Sequence, residues 1–322
     1  MINKLKYILM LVYLILSTSC DDTVSFKAPL DKEYVMYSIV NGESSNQTVF
    51  LGESYDVNGF DPFSNTNDQS IGDAEVSFII NGESYVFQDT LSNQFNNKRF
   101  SEPMHFYVVH NLPDLIKGTI KLNAKLKNGK ELSSILDIPY FSLFVFEHGE
   151  VSIFKKMEKN YVLIKWNVKG STTDISFLPR LVINYEYNNG NDHKEMIKVV
   201  PKNYVLQGEY FPVFPPASKE KVILYQKSAI DRALAEISVA DTNKSHYTIK
   251  GGEFEVYILD VNLNQYYSSI NTFEDGFTVK LYEPVVTNIN GGLGLFGAYK
   301  KRSIPVILGK NYIESFGYKS QK

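Results

Sequence analysis

Ile120-Lys121-Leu122-Asn123-Ala124-Lys125-Leu126-Lys127-Asn128-Gly129-Lys130-Glu131-Leu132-Ser133-Ser134-Ile135 is the stretch that decides the fold. Apolar residues fall on every second position from Ile120 to Leu126, the period of a strand with one buried face. Asn128-Gly129 breaks the alternation, and apolar positions resume at Leu132 and Ile135. Both turn residues tolerate positive φ at little cost, so the whole reads as a hairpin. The same dipeptide recurs at Asn41-Gly42, Asn81-Gly82 and Asn189-Gly190. The tetrad Asn-Gly-Glu-Ser stands at both 41–44 and 81–84, which predicts one turn chemistry used twice. The flanking residues do not align, so it is not a repeat.

Outward from that hairpin, Tyr34 to Ile138 reads as strand after strand. A polar loop from Asp56 to Gly72 interrupts it, long for a connection inside a compact domain. Asp56, Asn58 and Asp61 offer oxygen ligands of the kind calcium takes, but the spacing is not that of an EF-hand and no bidentate glutamate closes the set. Pro139 and the dense run Tyr140-Phe141-Ser142-Leu143-Phe144-Val145-Phe146 mark a domain boundary. Beyond it lie a strand ending at Trp166 and a second hairpin, Leu181–Tyr187 with Met196–Val200. This half resembles a fibronectin type III sandwich. The expected chain is all-β: an Ig-like β-sandwich over 31–140, then a fibronectin type III-like β-rich domain over 141–322. Short helices are expected at Ser228–Ile237, with Ser228 as N-cap, and at Leu263–Ile270. Phe211-Pro212-Val213-Phe214-Pro215-Pro216 reads as an extended connector, since the prolines forbid a helix or a central strand.

The N-terminus predicts an address. Lys4 and Lys6 precede an apolar stretch from Tyr7 to Leu16, and Ser17-Thr18-Ser19 lead to Cys20, the only cysteine. A core of about ten residues is too short to span a bilayer, so 1–19 reads as an export signal. A signal ending at a cysteine resembles a bacterial lipobox, which implies lipidation of Cys20 and anchoring in a membrane. Several acyl chains suffice for this, at roughly 0.8 kcal/mol per buried methylene. Residues 20–30 form an acidic tether opening on Asp21-Asp22. Such a pair resembles the Bacteroidetes signal for export to the outer face of the outer membrane; in enteric bacteria an Asp here resembles an inner-membrane retention signal. Without the leader, 31 basic side chains stand against 36 acidic ones, a formal net charge of −5. That balance gives nucleic acid no basic stripe to bind. Hydrophobic content of 43% with 14% aromatics supports packed cores. No disulfide is available to them.

Several motifs fail their context tests. Gly292-Leu293-Gly294-Leu295-Phe296-Gly297 satisfies G-x-G-x-x-G but opens no helix in a βαβ unit, so it reads as a tight glycine-rich turn and not a dinucleotide site. Ser152-Ile153-Phe154-Lys155 and Ser218-Lys219-Glu220-Lys221 match S-x-x-K without the companion motifs of penicillin-recognising enzymes. The five histidines are scattered and never paired at ligand spacing, so no metal or other cofactor is expected beyond the lipid. The 22 tyrosines suit strands, and where exposed they suit sugar rings or protein interfaces.

The segment from Glu283 to Tyr299, Glu-Pro-Val-Val-Thr-Asn-Ile-Asn-Gly-Gly-Leu-Gly-Leu-Phe-Gly-Ala-Tyr, resembles the closing signature of a Bacteroidetes lipoprotein family. Its defining domain is the domain of unknown function numbered four-two-four-nine. The resemblance implies an outer-membrane lipoprotein encoded beside TonB-dependent transporter barrels, with no catalytic residues to carry over. A surface-exposed, non-enzymatic accessory or ligand-capture partner of such a barrel is therefore the expected function; a stand-alone adhesin or glycan-binding module is the alternative. The expected partners are the bilayer, a barrel, and a glycan or peptide ligand. Phe211, Phe214, Gly292, Gly294, Phe296 and Tyr299 are the candidate interface residues.

Overall fold

A computed structural model describes residues 31–55, 57, 61, 64–92, 103–171, 174–271 and 286–321. The strands of the first half are β1 (Tyr34–Asn41), β2 (Gln47–Glu53), β3 (Glu75–Ile80), β4 (Glu83–Val86), β5 (Gln88–Ser92), β6 (Met104–Val109), β7 (Thr119–Lys125) and β8 (Glu131–Asp137). Then come β9 (Leu143–Phe146), β10 (Val151–Ile153), β11 (Tyr161–Lys169), β12 (Ser176–Asn188), β13 (His193–Val200), β14 (Asn203–Gln207), β15 (Glu209–Val213) and β16 (Val222–Gln226). Helix α1 (Lys227–Glu236) follows, then β17 (Tyr247–Leu259), α2 (Val261–Asn271), β18 (Leu293–Leu308), α3 (Lys310–Glu314) and the short β19 (Lys319–Ser320).

The chain is all-β in class, built as two sandwiches. In the first, the sheet β4-β3-β7-β8 closes against β1-β2-β6-β5. Met36, Phe78, Tyr107, Leu122 and Leu132 fill the space between them. The period-two alternation is the cause: Ile120, Leu122 and Ala124 are buried while Thr119, Lys121 and Lys125 face water. In the second, β16-β11-β9 closes over β13-β12-β17, and Trp166, Tyr225 and Phe254 lie at the centre.

The two sandwiches share one sheet. Its order is β13-β12-β17-β18-β1-β2-β6-β5, so β18 is the strand that joins them. Leu293 to Tyr299 run parallel to β1, and Tyr299 to Val306 run antiparallel to β17. Phe296 and Ala298 belong to the first core, Ile304, Val306 and Leu308 to the second. This corrects the expected division at 140/141. The chain does leave the first sandwich near Pro139, but Ile289 to Ala298 return to complete it. Without them β1 would be an open edge; β18 supplies its missing partner. The return is also tied to the opposite sheet, where Ser133 and Asn290 exchange backbone hydrogen bonds and Ser134 Oγ donates to the Asn288 carbonyl at 2.6 Å.

The two Asn-Gly-Glu-Ser tetrads differ, against expectation. Asn81 and Gly82 both take positive φ, 52° and 86°, between the paired residues Ile80 and Glu83. That is a two-residue type I′ hairpin. Gly42 has no such φ; the Lys300 side chain lies where its Cβ would be, 2.9 Å from Cε. Expected helices appear at α1 and α2, with one correction. Gln226, not Ser228, takes the N-cap position of α1 and makes no side-chain cap bond. Ala229, Ile230, Ala233 and Leu234 still bury one face of that helix, so packing holds it where capping does not.

Candidate functional site

The inner faces of the shared sheet hold the cores, so its outer face carries what is left for recognition. Along β1, Met36, Ser38 and Val40 point inward, and Tyr37 and Ile39 are each nearly half exposed on the other side. Tyr37 stands opposite Phe50 of β2. A shallow cleft runs over Tyr37, Ile39, Phe50, Met104 and Phe106. From Ile39 a second cleft of about 420 Å³ continues beside α2, walled by Tyr257, Tyr267 and Tyr299 over Leu178, Leu259 and Leu263. Among the described residues, Arg180 is the one charged side chain lining it.

Helix α2 makes this cleft, and its seating is specific. Asp260 Oδ1 accepts from the Leu263 backbone N–H at 2.9 Å, capping the helix. The Asp260 N–H in turn donates to the Ala298 carbonyl of β18, at 2.9 Å. Gly297 lets the helix approach, because a Cβ there would sit 3.0 Å from Leu263 Cβ. Leu259, Leu263 and Leu295 form a small third core under the helix. Asp260 is almost fully buried, and its Oδ2 has no partner among the described residues. Burial raises its carboxyl to about 6 despite the backbone N–H groups that favour the charge.

The polar edge of the cleft is a fixed network. Buried Glu255 accepts from Lys301 Nζ at 3.1 Å and from the Tyr257 hydroxyl at 3.2 Å, with the Arg180 guanidinium 3.9 Å away. Tyr257 and Tyr299 are in ring contact at 5.5 Å. Burial pushes the phenols of both above the ordinary range. Among the described residues no hydrogen bond engages the hydroxyls of Tyr267 and Tyr299.

A second feature is a two-stranded ribbon, β14–β15, standing apart from the large sheet. The expected connector is thus partly strand, and Pro212 is accommodated because the ribbon has no further strand beside it among the described residues. One face packs on α1, where the Arg232 guanidinium lies over the rings of Tyr204 and Tyr210 at 4.8 and 4.3 Å. Glu236 completes the clamp, accepting from Lys198 Nζ at 2.7 Å and the Tyr204 hydroxyl at 3.1 Å. Burial works against the Glu236 charge, but these donors and Arg232 outweigh it and hold the carboxyl below its usual range. The opposite face carries Val205 against Phe211, both exposed. Leu206, Tyr210 and Phe214 are exposed as well.

A third, polar cleft of about 270 Å³ lies between the sandwiches, lined by Glu43, Phe141, Lys300 and Arg302. Arg302 pairs with Glu43, and Lys300 Nζ donates to the Ile116 carbonyl at 2.6 Å. These contacts fasten one sandwich to the other.

Of the residues singled out from sequence, Phe211 and Phe214 are exposed at the ribbon and Tyr299 walls the tyrosine cleft. Gly292, Gly294 and Phe296 are a correction. Phe296 is fully buried, its ring 5.6 Å from that of Phe78. A Cβ on Gly292 or Gly294 would meet the carbonyl oxygens of Tyr34 or Met36 at 2.5 or 2.0 Å. These glycines serve close strand packing, so this part of the motif is core and not interface. Cys20, Asp21, Asp22, Asp56 and Asn58 lie outside the described residues. Asp61 is exposed, and among the described residues no group of three or more His, Cys, Asp or Glu is placed to hold a metal. No helix among them is long and apolar enough to cross a membrane. Sequence reasoning missed Arg180 and Tyr257, while the pair Tyr266-Tyr267 stands out among the tyrosines. The period-two spacing of Glu255, Tyr257 and Leu259 was the available signal, since it puts all three on one face.

No family model matches the chain, and no curated protein matches it in sequence. Among solved structures it is similar to the titin Ig tandem domains A164-A165, at 9% identity over 87% of this chain and 96% of that one, with a TM-score of 0.17. It is also similar to the mouse nectin-like molecule 4 ectodomain, Ig1–Ig3, at 10% identity over 86% and 64% of the two chains and a TM-score of 0.20. Titin domains z1z2, in a complex with telethonin, match at 10% identity over 92% and 100%, with a TM-score of 0.18. The sandwiches themselves are defined by the chain's own sheets and cores.

Proposed function

We propose that this chain is a non-enzymatic lipoprotein, anchored through Cys20 on the outer face of the outer membrane, that serves a TonB-dependent β-barrel transporter as a ligand-capture accessory. The exposed ribbon β14–β15 carries the reading. Val205, Leu206, Tyr210, Phe211 and Phe214 are all exposed on or directly beside this ribbon, with Val205 and Phe211 paired on the face turned away from α1. Aromatic and apolar side chains clustered this way are the composition of an interface centre, and a stable interface buries about 800 Å² per partner. The lipid tether supports the same reading, because anchoring both proteins in one membrane raises their effective concentration. Two sandwiches joined by a continuous strand give a rigid body on which to hold a ligand toward a barrel.

A stand-alone adhesin or glycan-binding module is the second reading, favoured by the tyrosine cleft, which needs no barrel to work. Purification separates the two. The lipidated full chain, taken from outer membranes in mild detergent, is expected to bring down a stoichiometric β-barrel. The double variant Leu206→Asp, Phe211→Ser is expected to lose it while remaining folded. Wild-type protein that purifies alone would overturn the accessory reading and leave the second one.

A further inference from the structure

The cleft beside α2 combines an apolar floor, aromatic walls and a compensated polar edge. Leu259 and Leu263 form the floor, and Tyr257, Tyr267 and Tyr299 the walls. At the edge, the charges of Arg180 and Lys301 are matched by Glu255 and Glu253, so the cleft offers hydrogen-bonding groups with no net charge. Each class of occupant meets a different fate there. A wholly apolar molecule would strip water from Arg180 and from the phenols of Tyr267 and Tyr299 and return no hydrogen bonds. An ion would leave bulk water for a site whose charges are already spoken for. A sugar ring fits both halves, because its C–H face lies on an aromatic ring while its hydroxyls donate to and accept from the phenols and accept from the guanidinium fork.

We propose that this cleft binds a neutral pyranose unit of an oligosaccharide, with Tyr299 and Tyr267 as the stacking platform and Arg180 as the orienting donor. The volume of about 420 Å³ lies within the range of built small-molecule sites. The shallow aromatic cleft that continues from Ile39 over Tyr37 and Phe50 extends the same surface, which favours a chain of sugars over a single one. The inference rests on the ligand-capture element of the proposed function and not on the barrel.

The test uses the lipidated full chain in detergent on an array of neutral oligosaccharides beside uronic-acid and sialylated ones. Wild type is expected to bind neutral members of the array. Tyr299→Ala and Arg180→Ala should each weaken that binding at least tenfold. Arg180 is close to buried Glu255, so Tyr267→Ala, on the helix, serves as the variant least coupled to folding, with unchanged thermal midpoint as its control. No binding on the array, binding to acidic members alone, or full binding by all three variants would overturn the inference. A barrel that copurifies with a chain blind to the array sinks this inference only. Array binding without a barrel sinks the accessory reading only.

Discussion

Two aromatic segments look alike on paper and end in opposite places. Gly292 to Tyr299 and Tyr204 to Phe214 both mix aromatic residues with conformationally special ones. In the first, the special residues are glycines, and Phe296 is fully buried. In the second they are Gly208 and Pro212, and Phe211 is half exposed. The difference lies in what each residue does to neighbouring backbone. At Gly294 and Gly297 the missing Cβ lets β1 and α2 come close, and Phe296 between them lies in the core. Proline removes a ladder donor and stops a sheet from growing, so aromatic residues beside it stay on an edge that nothing covers.

The most damaging way to break this contrast is Gly294→Ala. Gly294 sits at φ 124°, and a Cβ would stand 2.0 Å from the Met36 carbonyl oxygen and 2.8 Å from its carbon. Backbone cannot yield as a flexible side chain can, so β18 must leave β1 or the pair must part. The expected loss exceeds about 4 kcal/mol, the range reserved for named strain and core defects. Chemical denaturation should show it, together with a lower cooperativity as the first sandwich opens ahead of the second. A stability within about 1 kcal/mol of wild type, the typical cost of an ordinary substitution, would mean that β18 does not hold this register.

An intermediate effect of opposite sign is expected at Asp260, where α2 is fastened to the same strand. Its carboxyl is raised from 3.8 to about 6, chiefly by burial. The folded protein therefore binds this proton more tightly than the unfolded chain does. Its contribution is most favourable below pH 3.8 and is lost as pH rises through about 6. Asp260→Asn keeps a good N-cap residue and removes the charge. The variant should gain roughly 1–3 kcal/mol at about pH 7–8, since each tenfold difference in proton affinity between folded and unfolded chain is worth about 1.4 kcal/mol. That gain should shrink toward nothing at about pH 3, below both the unfolded value of 3.8 and the folded value of about 6, where both states hold the proton. Melting temperatures of both proteins across this range decide it; a difference independent of pH would remove the buried-carboxylate account.

How much of the molecule is legible in its sequence follows from which forces are local. Period-two alternation at Ile120–Leu126 and turn chemistry at Asn81-Gly82 are local, and they mark the strands, the hairpins and the all-β class. The boundary near Pro139 is local too. The return of Ile289–Ala298 to the first sandwich is not, because a strand that closes a distant edge has the same alternation as one that pairs with its neighbour. Gly42 shows the same limit: its sequence context matches Gly82, but its need for a missing Cβ comes from Lys300, far along the chain. The cleft itself is half legible. Tyr266-Tyr267 and Tyr299 stand out as tyrosines, while Arg180 has no local mark and enters only because β12 pairs with β17, placing it beside Glu255.

The smallest expected effect belongs to the ribbon, and it sharpens the comparison most. Phe211 faces away from α1, and the clamp of Arg232, Tyr204, Tyr210 and Glu236 lies on the other face. Phe211→Ser should therefore change stability by less than about 0.5 kcal/mol, as exposed positions free of special contacts do. The matched control is Arg232→Ala, which removes the stacking over Tyr204 and Tyr210, leaves Glu236 to Lys198 and the Tyr204 hydroxyl, and should loosen the ribbon without touching Phe211. Amide exchange over 203–213 reads both variants, fast in the second and unchanged in the first. Slow exchange in both would mean that the ribbon is held by something other than the clamp. Fast exchange in Phe211→Ser would mean that its ring packs in the free protein, and the ribbon would then be a part of the core in the same sense as Phe296.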